Sequence, residues 1–340
     1  MSFPRTIEIV GGGLAGLSLG TALCRAGVPA VVFEAGDYPR HRVCGEFITG
    51  LSAATSARLG LGPLLADALH HREVAWHLRD RLVRVQRLPT PALGLSRYAL
   101  DARLAAAFTA AGGMLRTRER LTDPSAPPGR VFATGRRRSA SAWLGLKVHA
   151  LGLNVSHDLE LHLGEQAYVG LSRIEDGQVN VCGLFRRREL CAKGPDLLLG
   201  YLTAAGLGEL ARRLSVAPLD PASCCAVAAM GFDRGVAPSD RIQLGDAGAM
   251  IPPFTGNGMA MAFQSAEAVL DPLIAYARGE ATWPTTCREA RLRLHRRFRL
   301  RLATAAALHP FFLQPRRQRL LSGLTRARLL PLQPLYALLH

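Results

Sequence analysis

Three glycines near the N-terminus have the spacing of a phosphate-binding turn. They form the pattern G-x-G-x-x-G at residues 11–16, between a β-prone stretch at residues 6–10 and an apolar helical pattern, and they are Gly11, Gly13 and Gly16. In such a turn the first glycine permits the bend, the second lets the backbone approach a pyrophosphate and the third allows the helix to pack closely on the strand. Leu14 and Ala15 open the helix, whose N–H groups and positive dipole end suit phosphate. The spacing therefore predicts a dinucleotide site.

A carboxylate follows at the distance that a dinucleotide requires. Glu34 ends a second predicted strand, at residues 30–33, and lies 18 residues after Gly16. A carboxylate at that position accepts hydrogen bonds from the hydroxyls of an adenosine ribose. A glycine motif alone would also fit a turn in an arbitrary α/β protein, but the strand, the helix and the acid together favour dinucleotide binding.

A second candidate element lies far downstream. A predicted strand at residues 241–244 is followed by Gly245 and Asp246, and then by a loop rich in proline and glycine that precedes a helix. A carboxylate at a strand end suits sugar hydroxyls, and N–H donors at the start of a helix suit an electron-rich carbonyl. The candidate residues of the loop and the helix start are Pro253, Gly256, Asn257, Gly258 and Met259.

These two motifs, at opposite ends of the chain, resemble the flavoprotein superfamily that contains the aromatic hydroxylases and the geranylgeranyl reductases. The resemblance covers residues 5 to about 280. It implies that the cofactor is FAD. It also implies that Asp246 lies on the ribityl chain and that the loop after it faces the isoalloxazine.

Three further segments carry the same resemblance. Residues 39–46 resemble the loop after the family's second strand, and residues 96–101 resemble a helix whose leading arginine, Arg97, reaches the cofactor. Residues 132–136 resemble a connection from strand to turn, although Thr134 stands where the family usually has aspartate, which weakens any inference of nicotinamide recognition. The residues that would reach FAD from these segments are Arg42, Arg97, Thr134 and Gly135.

Cys44 is the candidate catalytic residue. Geranylgeranyl reductases have a cysteine followed by glycine in this loop, and the resemblance implies that Cys44 donates a proton or contacts the substrate. A cation such as Arg42 could activate the thiol. The alternative is a buried and inert cysteine. The chain's seven cysteines lack the spacings of a zinc site or a disulfide framework, so no metal site is predicted.

The predicted fold class is α/β. We expect a Rossmann-like FAD-binding domain of the glutathione-reductase type, with an inserted mixed or antiparallel β-sheet as substrate domain and a helical C-terminus. Alternating residues around Asp80 predict a hairpin, and the turn at residues 175–177 predicts antiparallel strands on either side of it. The predicted FAD-binding domain comprises residues 1–70, 95–145 and 225–280, the substrate domain residues 71–94 and 146–224, and the basic C-terminal segment residues 281–340.

The C-terminal segment is strongly basic. Residues 281–340 contain twelve arginines and one acidic residue, Glu289. Leu294, Phe298 and Leu302 recur at every fourth position and form one stripe of a helix. Two interpretations stay open. The stripe packs on the FAD-binding domain and the arginines are solvated, or the segment rests on anionic lipid as a peripheral membrane contact.

Composition limits the partners and the compartment. The chain has a formal net charge of +16, and nearly all of its cations are arginines. Such a bias is typical of coding composition, and only 6% of residues are aromatic, so no nucleic-acid partner is predicted. There is no apolar run of about 18 residues and no signal-peptide pattern at the start. We expect a cytoplasmic protein, with peripheral membrane binding as the open alternative.

The sequence therefore predicts an FAD-dependent oxidoreductase acting on a large hydrophobic substrate, such as a polyketide, a phenolic lipid or an isoprenoid. Within the resemblance, Pro252-Pro253 favours hydroxylation through a flavin hydroperoxide, whereas Cys44-Gly45 favours reduction of a carbon–carbon double bond in a prenyl lipid. Hydroxylation is the slightly favoured reaction, and reduction is the alternative. An alternative of another class is a non-catalytic prenyl-binding chaperone on the same fold. A single dinucleotide motif implies that NAD(P)H docks transiently or that a separate reductase, an electron-donor protein, supplies the electrons.

Overall fold

Two β-sheets organise the chain in the computed structural model, which describes residues 4–122, 125–136, 139–232 and 241–340. The strands of the described residues are β1 (Ile7–Val10), β2 (Ala30–Phe33), β3 (Phe47–Ile48), β4 (Leu69–Leu78), β5 (Arg81–Gly94), β6 (Met114–Arg116), β7 (Arg130–Phe132), β8 (Trp143–Leu151), β9 (Leu159–Gly164), β10 (Ala167–Arg173), β11 (Gln178–Arg186), β12 (Leu219–Ala228) and β13 (Ile242–Gln243). Their helices are α1 (Leu14–Arg25), α2 (Ala53–Leu59), α3 (Arg97–Ala110), α4 (Gly194–Ala204), α5 (Gly208–Ser215), α6 (Gly258–Ala277), α7 (Trp283–Leu313), α8 (Pro315–Arg326) and α9 (Leu332–Leu339).

Sheet A is parallel and has the strand order β13-β7-β1-β2-β6. β1 lies at its centre, and Ile7 and Ile9 of this strand are fully buried. α1 packs against α3 and α6, so the apolar residues of the glycine-turn helix are enclosed on both sides. Because the strands are parallel, their carboxyl ends lie at one edge, where ligands of open α/β sheets bind.

Sheet B is mixed and has the strand order β12-β8-β11-β10-β9-β4-β5-β3. β4 and β9 are parallel, whereas the other neighbouring strands are antiparallel. Side chains alternate between the faces of a strand. On β8, Leu146 and Val148 belong to the core that contains α4 and α5, which leaves Lys147 and His149 on the opposite face. We call this opposite face the inner face.

The inner face is polar in one part of the sheet and aromatic in the part next to it. In one cross-strand row, Lys147 of β8 pairs with Cys225 of β12 and Cys182 of β11. Two residues away, Leu184 of β11 pairs with Tyr168 of β10. The register therefore places a polar region and an aromatic region side by side on one surface.

The C-terminal helices pack against both sheets. Phe298 of α7 is buried in a cluster with Met261 of α6 and Leu339 of α9, and Leu294 and Leu302 pack at its margin. The predicted apolar stripe of residues 281–340 thus faces the protein. Among the described residues, no helix is both long and apolar enough to cross a lipid bilayer.

The predicted elements are present in the described structure. β4 and β5 form the hairpin around Asp80, and its two turn residues, Arg79 and Asp80, both have positive φ angles. β10 and β11 are antiparallel on either side of the turn at residues 175–177. The α/β fold class with a second, mixed sheet and a helical C-terminus is therefore confirmed. The domain boundaries stay a prediction.

Candidate functional site

A cleft of about 780 Å³ lies at the carboxyl edge of sheet A. Residues at or just after the ends of four strands line it, namely Val10, Phe33, Ala133 and Leu244. Its far wall is the stretch 225–227 of β12 in sheet B. Of the residues predicted from sequence, the cleft is lined by Gly11, Gly13, Leu14, Ala15, Glu34, Arg42, Cys44, Arg97, Thr134, Gly135, Gly245, Asp246, Gly258 and Met259.

The glycine turn is built by close backbone contacts. Gly11 has a φ of 111°, and a Cβ there would lie 2.2 Å from the carbonyl oxygen of Ala133. A Cβ on Gly16 would lie 2.0 Å from the carbonyl oxygen of Gly11, so this residue serves packing and does not line the cleft. Gly13, the residue before α1, has no atom within 4 Å of a Cβ position. Its missing side chain leaves space in the cleft at the N-terminus of a helix.

Glu34 is buried and already holds the turn. Its carboxylate accepts hydrogen bonds from the backbone N–H groups of Gly12 and Gly36, each at 2.9 Å, and from Arg40 at 2.6 Å. Burial opposes ionisation, but these hydrogen bonds and the charges of Arg40 and Arg42 lower the pKa of Glu34 below its ordinary value. Glu34 is therefore ionised and still lines the cleft, where it can accept a sugar hydroxyl.

A buried aspartate anchors both predicted arginines. Asp101 is fully buried and accepts from Arg42 Nε at 2.9 Å and from Arg97 Nε and Nη2 at 2.8 and 2.9 Å. Arg42 Nη2 is buried without a hydrogen bond and lies 3.9 Å from Glu34 Oε2. The i to i+4 spacing of Arg97 and Asp101 on α3 could have indicated this anchor from sequence.

Cys44 lines the cleft and lies in a loop that is held by hydrogen bonds from sheet B. Asn180 of β11 donates to the Cys44 carbonyl oxygen at 3.0 Å, and Ser172 of β10 donates to that of Gly45 at 2.7 Å. Burial raises the pKa of the Cys44 thiol, and Arg97, not Arg42, is the cation that opposes this rise. The group is therefore a thiol that carries its proton.

The second motif brings another helix N-terminus to the cleft. Gly258 is the first residue of α6, and, as at Gly13, no atom lies within 4 Å of a Cβ position there. Asp246 is exposed to the cleft but confined by its walls, and this desolvation raises its pKa against the opposing charges of Arg97 and Arg136. Gly245 is fixed by a hydrogen bond from its N–H to Ser265 Oγ at 3.0 Å.

Three predicted loop residues do not line the cleft. Pro253 begins a 3₁₀ turn, and Gly256 follows it with a φ of 68° and packs so closely on Phe47 that a Cβ would overlap the ring. Asn257 is fully buried and donates from Nδ2 to the backbone oxygen of Leu339 in α9. This part of the loop is turned toward the C-terminal helices.

Sequence reasoning missed a buried charged cluster behind the cleft, which we call the near cluster (Glu46, Lys147 and His149). Lys147 Nζ lies 3.0 Å from Glu46 Oε1, and His149 Nε2 donates to Glu46 Oε2 at 2.6 Å. Glu46 has a positive φ of 56° and also accepts from the N–H of Arg97 at 3.0 Å. The period-two pattern of β8, with Lys147 and His149 on one face, was the available signal.

Sequence reasoning also missed an aromatic cluster on the inner face, formed by Trp143, Tyr168, Phe232, Phe254, His309 and Phe312. Phe254 and Phe312 stack at 3.9 Å. His309 Nε2 is buried without a hydrogen-bond partner in the described structure, and Tyr168 Oη is buried with no contact of full hydrogen-bond geometry, although the Phe254 backbone lies close enough to oppose the rise in its pKa. Burial raises the pKa of Tyr168 and lowers that of His309 to about 4, so both groups are neutral at pH 7.

A second charged cluster, which we call the remote cluster (Glu160, His162 and Arg213), lies elsewhere on sheet B. Glu160 Oε2 accepts from His162 Nε2 at 3.0 Å and from Arg213 Nη1 at 3.1 Å. His77 stacks on His162 at 4.3 Å, and ligand-capable atoms of His77, Glu160 and His162 lie within 4.8 Å of one another. The Arg213 guanidinium already balances the negative charge of Glu160, which a metal ion bound by these residues would otherwise do.

No protein-family model matches the chain. A stretch of 66 residues is 36% identical to a menaquinone reductase of Mycobacterium tuberculosis, and the match covers 19% of this chain and 16% of that protein. The chain thus aligns with a small part of the length of its curated relatives.

Solved structures match over most of the chain. The p-nitrophenol 4-monooxygenase PnpA of Pseudomonas putida is 16% identical with a TM-score of 0.76, and the match covers 98% of this chain and 97% of that one. PqsL of Pseudomonas aeruginosa, in complex with 2-aminobenzoylacetate, is 17% identical with a TM-score of 0.73, over 94% of this chain and 100% of that one. PqsL is described as a probable FAD-dependent monooxygenase. The chain has the fold of these monooxygenases. The likeness confirms the predicted architecture.

Proposed function

We propose that the protein binds FAD in the cleft and is an FAD-dependent oxidoreductase. The observation that carries this proposal is the pair of helix N-termini at α1 and α6. Each has a glycine, Gly13 or Gly258, whose missing side chain leaves open space, and both glycines line one cleft. One helix start suits a pyrophosphate and the other suits the carbonyl groups of a flavin ring. A dinucleotide that carries a flavin requires both.

The charged groups of the cleft fit the remaining parts of FAD. Glu34 would accept the hydroxyls of the adenosine ribose, and Asp246 those of the ribityl chain. Arg42 retains a buried nitrogen without a hydrogen-bond partner, and Arg97 is held rigidly by Asp101. Thr134 and Gly135 would complete the wall beside the cofactor. FAD supplies the electron-transfer and oxygen chemistry when bound, and the protein supplies position and charge.

We infer that the substrate is apolar and aromatic and that the reaction is oxygen-dependent hydroxylation. Support comes from the aromatic cluster, where Phe254 belongs to the loop that precedes α6. A substrate ring would pack against Phe254, because aromatic pairs prefer stacked or edge-to-face contacts. Tyr168 Oη and the unpartnered His309 Nε2 would then bind an oxygen substituent of the ring. Large polyketides, phenolic lipids and isoprenoid quinones share this chemistry.

The test of this activity is product analysis under isotopically labelled oxygen. The protein is incubated with FAD, NADPH or a separate reductase, and a long-chain phenol. Hydroxylation predicts that one labelled oxygen atom appears in the product. A Tyr168→Phe variant should raise KM for the phenol without changing FAD affinity. A product without labelled oxygen, formed at the same rate without air, would contradict hydroxylation.

Reduction of a carbon–carbon double bond is the second candidate. It is favoured by the protonated Cys44 thiol at the cleft and by the short match to a menaquinone reductase. Reduction needs a hydride and a proton, and Cys44 would donate the proton. A Cys44→Ala variant should then lose turnover on a prenyl quinone while it retains FAD, and Cys44→Ser should recover little. Unchanged turnover in both variants would remove Cys44 from the reaction.

A prenyl-binding chaperone on the same fold is less well supported. The two open helix starts and the charged cleft would serve no purpose in a protein that binds only an apolar chain. As the electron donor we propose transient NAD(P)H or a separate reductase, because the chain has one dinucleotide motif. We expect NADPH alone to reduce the bound flavin slowly, and rapid reduction without substrate or reductase would contradict this proposal.

We further propose that the protein is cytoplasmic and that α7 can rest on anionic lipid. Its solvent side presents Arg288, Arg296 and Arg299 together with Leu292 and Leu300, which are 50% and 57% exposed. Exposed leucines among arginines are typical of helices that lie in a lipid interface. Sedimentation with vesicles that contain phosphatidylserine should carry the protein down, and a Leu292→Ser, Leu300→Ser variant should stay in solution. Equal binding to neutral vesicles would contradict the charge requirement.

A further inference from the structure

His41 joins the near cluster to the cleft. It lines the cleft between Arg40 and Arg42, and its Nδ1 lies 3.3 Å from Lys147 Nζ. Its ring stacks on Tyr98 of α3, with centroids 4.5 Å apart and an angle of 24° between the planes. The ring is therefore fixed on one side by stacking and at one nitrogen by Lys147.

The contact with Lys147 decides which nitrogen of His41 carries the proton. Lys147 is fully buried and paired with Glu46 at 3.0 Å, which makes its side chain an ammonium. An ammonium has three donors and no acceptor. His41 Nδ1 must therefore accept, and the proton of the neutral ring lies on Nε2.

The surroundings also keep this imidazole neutral. Burial is the largest cause that lowers the pKa of His41, and the positive charges of Lys147 and His149 on β8 lower it further. Glu46 and Asp220 of β12 act in the opposite direction without reversing the shift. Nε2 has no hydrogen-bond partner in the described structure and is not among its buried atoms, and His41 is a lining residue of the cleft.

From this geometry we propose that His41 is a neutral donor of fixed tautomer, whose Nε2–H binds an oxygen acceptor on the molecule in the cleft. The near cluster then has a purpose. His149 donates to Glu46, Glu46 pairs with Lys147, and Lys147 fixes the tautomer of His41. Lys147 is thus a positioning residue. The inference rests on the proposed function only for the identity of that molecule. The acceptor is a carbonyl or an enolate-type oxygen, and it belongs either to the flavin or to the substrate.

The tautomer can be tested without any cofactor. Histidine labelled with ¹⁵N reports the proton position from its chemical shifts, and the signal is assigned with a His41→Gln variant. We expect a neutral His41 with the proton on Nε2 at pH 7. In Lys147→Gln we expect a mixture of tautomers and a higher His41 pKa. A doubly protonated ring, or a proton on Nδ1 in the wild type, would overturn the proposal even if FAD binds.

The acceptor is identified by a matched pair of substitutions at position 41. His41→Phe keeps an aromatic ring on Tyr98 but has no donor, whereas His41→Gln keeps a donor. If the acceptor is on the flavin, we expect His41→Phe to weaken FAD binding by about tenfold, the value of one hydrogen bond, and His41→Gln to stay near the wild type. If it is on the substrate, FAD binding is unchanged and KM or kcat responds instead.

Two results would overturn the role of His41. One is a His41→Phe variant with unchanged FAD affinity, KM and kcat. The other is an equal loss in His41→Phe and in His70→Phe, a control at an exposed histidine of β4. Loss of the His41 signature in a protein that still binds FAD would leave the proposed function standing. Failure of the wild type to bind FAD would leave the tautomer result intact.

Discussion

Two buried clusters of similar composition lie on sheet B, and they differ in how they are placed. In both, a carboxylate accepts from an imidazole and from a cation, with distances of 2.6 and 3.0 Å in the near cluster and 3.0 and 3.1 Å in the remote one. The cation of the near cluster, Lys147, is fully buried, whereas the Arg213 side chain is 24% exposed. The carboxylate of the near cluster also belongs to a left-handed residue, Glu46.

The difference in the burial of the two cations indicates that the two clusters have different structural roles. Glu160 lies in a regular strand, and Arg213 can reach water if its partner is lost. A pair whose cation can reach water should contribute less to stability than a pair with both charges buried. The near cluster buries both charges and holds a residue in an unfavourable backbone conformation beside the cleft, an arrangement that persists only when its surroundings enforce it. We infer that the remote cluster joins α5 to sheet B and that the near cluster shapes the cleft.

The largest predicted effect comes from neutralising the two carboxylates. Glu46→Gln leaves Lys147 buried without a counter-charge and should lower the free energy of unfolding by about 3–5 kcal/mol. Glu160→Gln, the matched variant, should cost less, because Arg213 can be solvated. Chemical denaturation of both variants measures the difference. Equal losses would remove the distinction between the clusters.

An intermediate effect is expected in acid. The contacts of Glu160 with His162 and Arg213 overcome the opposing effect of burial and lower its pKa from 4.5 to about 2. A carboxyl group with a lowered folded-state pKa stabilises the protein above its unfolded pKa, and this stabilisation is lost as the pH falls from about 4.5 toward 2. The free energy of unfolding should therefore fall less steeply over this range in Glu160→Gln than in the wild type. Parallel pH profiles would contradict this assignment.

The smallest effect is expected from exchanging the imidazoles. Glutamine can still donate to the carboxylate, so His149→Gln and His162→Gln should each cost about 1 kcal/mol or less in stability. The two variants should differ in FAD affinity. His149 bonds to Glu46, and Glu46 accepts a hydrogen bond from the backbone N–H of Arg97, which lines the cleft. We expect weaker FAD binding in His149→Gln alone. An identical FAD titration for both would show that the near cluster does not act on the cleft.

The glycine turn could be predicted because its information is local. The spacing of Gly11, Gly13 and Gly16, between a strand and a helix, follows from rules that act over ten or so residues. The same holds for the hairpin around Asp80. The fold class could be predicted because these local patterns identify a parallel sheet. In a parallel sheet the residues that follow the strands meet at the carboxyl edge, so the approximate composition of the cleft could be predicted as well.

The near and aromatic clusters could not be predicted because their contacts are set by register. Glu46 meets Lys147 only because β8 takes a particular position in sheet B, about 100 residues further along the chain. Tyr168 meets His309 only because α7 folds back over the inner face. The alternation of side chains along a strand places Lys147 and His149 on one face of β8, but it does not show what that face covers. Cys44 was expected beside Arg42, whereas Asp101 holds Arg42, and the charge of Arg97 opposes the rise in the pKa of the thiol.

The central claim, that the cleft holds FAD between two open helix starts, is tested most directly by titrating FAD and FMN into the wild type, Gly13→Val and Gly208→Val. Gly208 is the matched control, because it also opens a helix and has no atom within 4 Å of a Cβ position, but it lies outside the cleft lining. We predict that the wild type and Gly208→Val bind FAD and discriminate against FMN, and that Gly13→Val folds normally but binds FAD about a hundredfold more weakly or not at all. Equal affinity of the wild type for FMN and FAD, or unchanged FAD binding in Gly13→Val, would contradict the account.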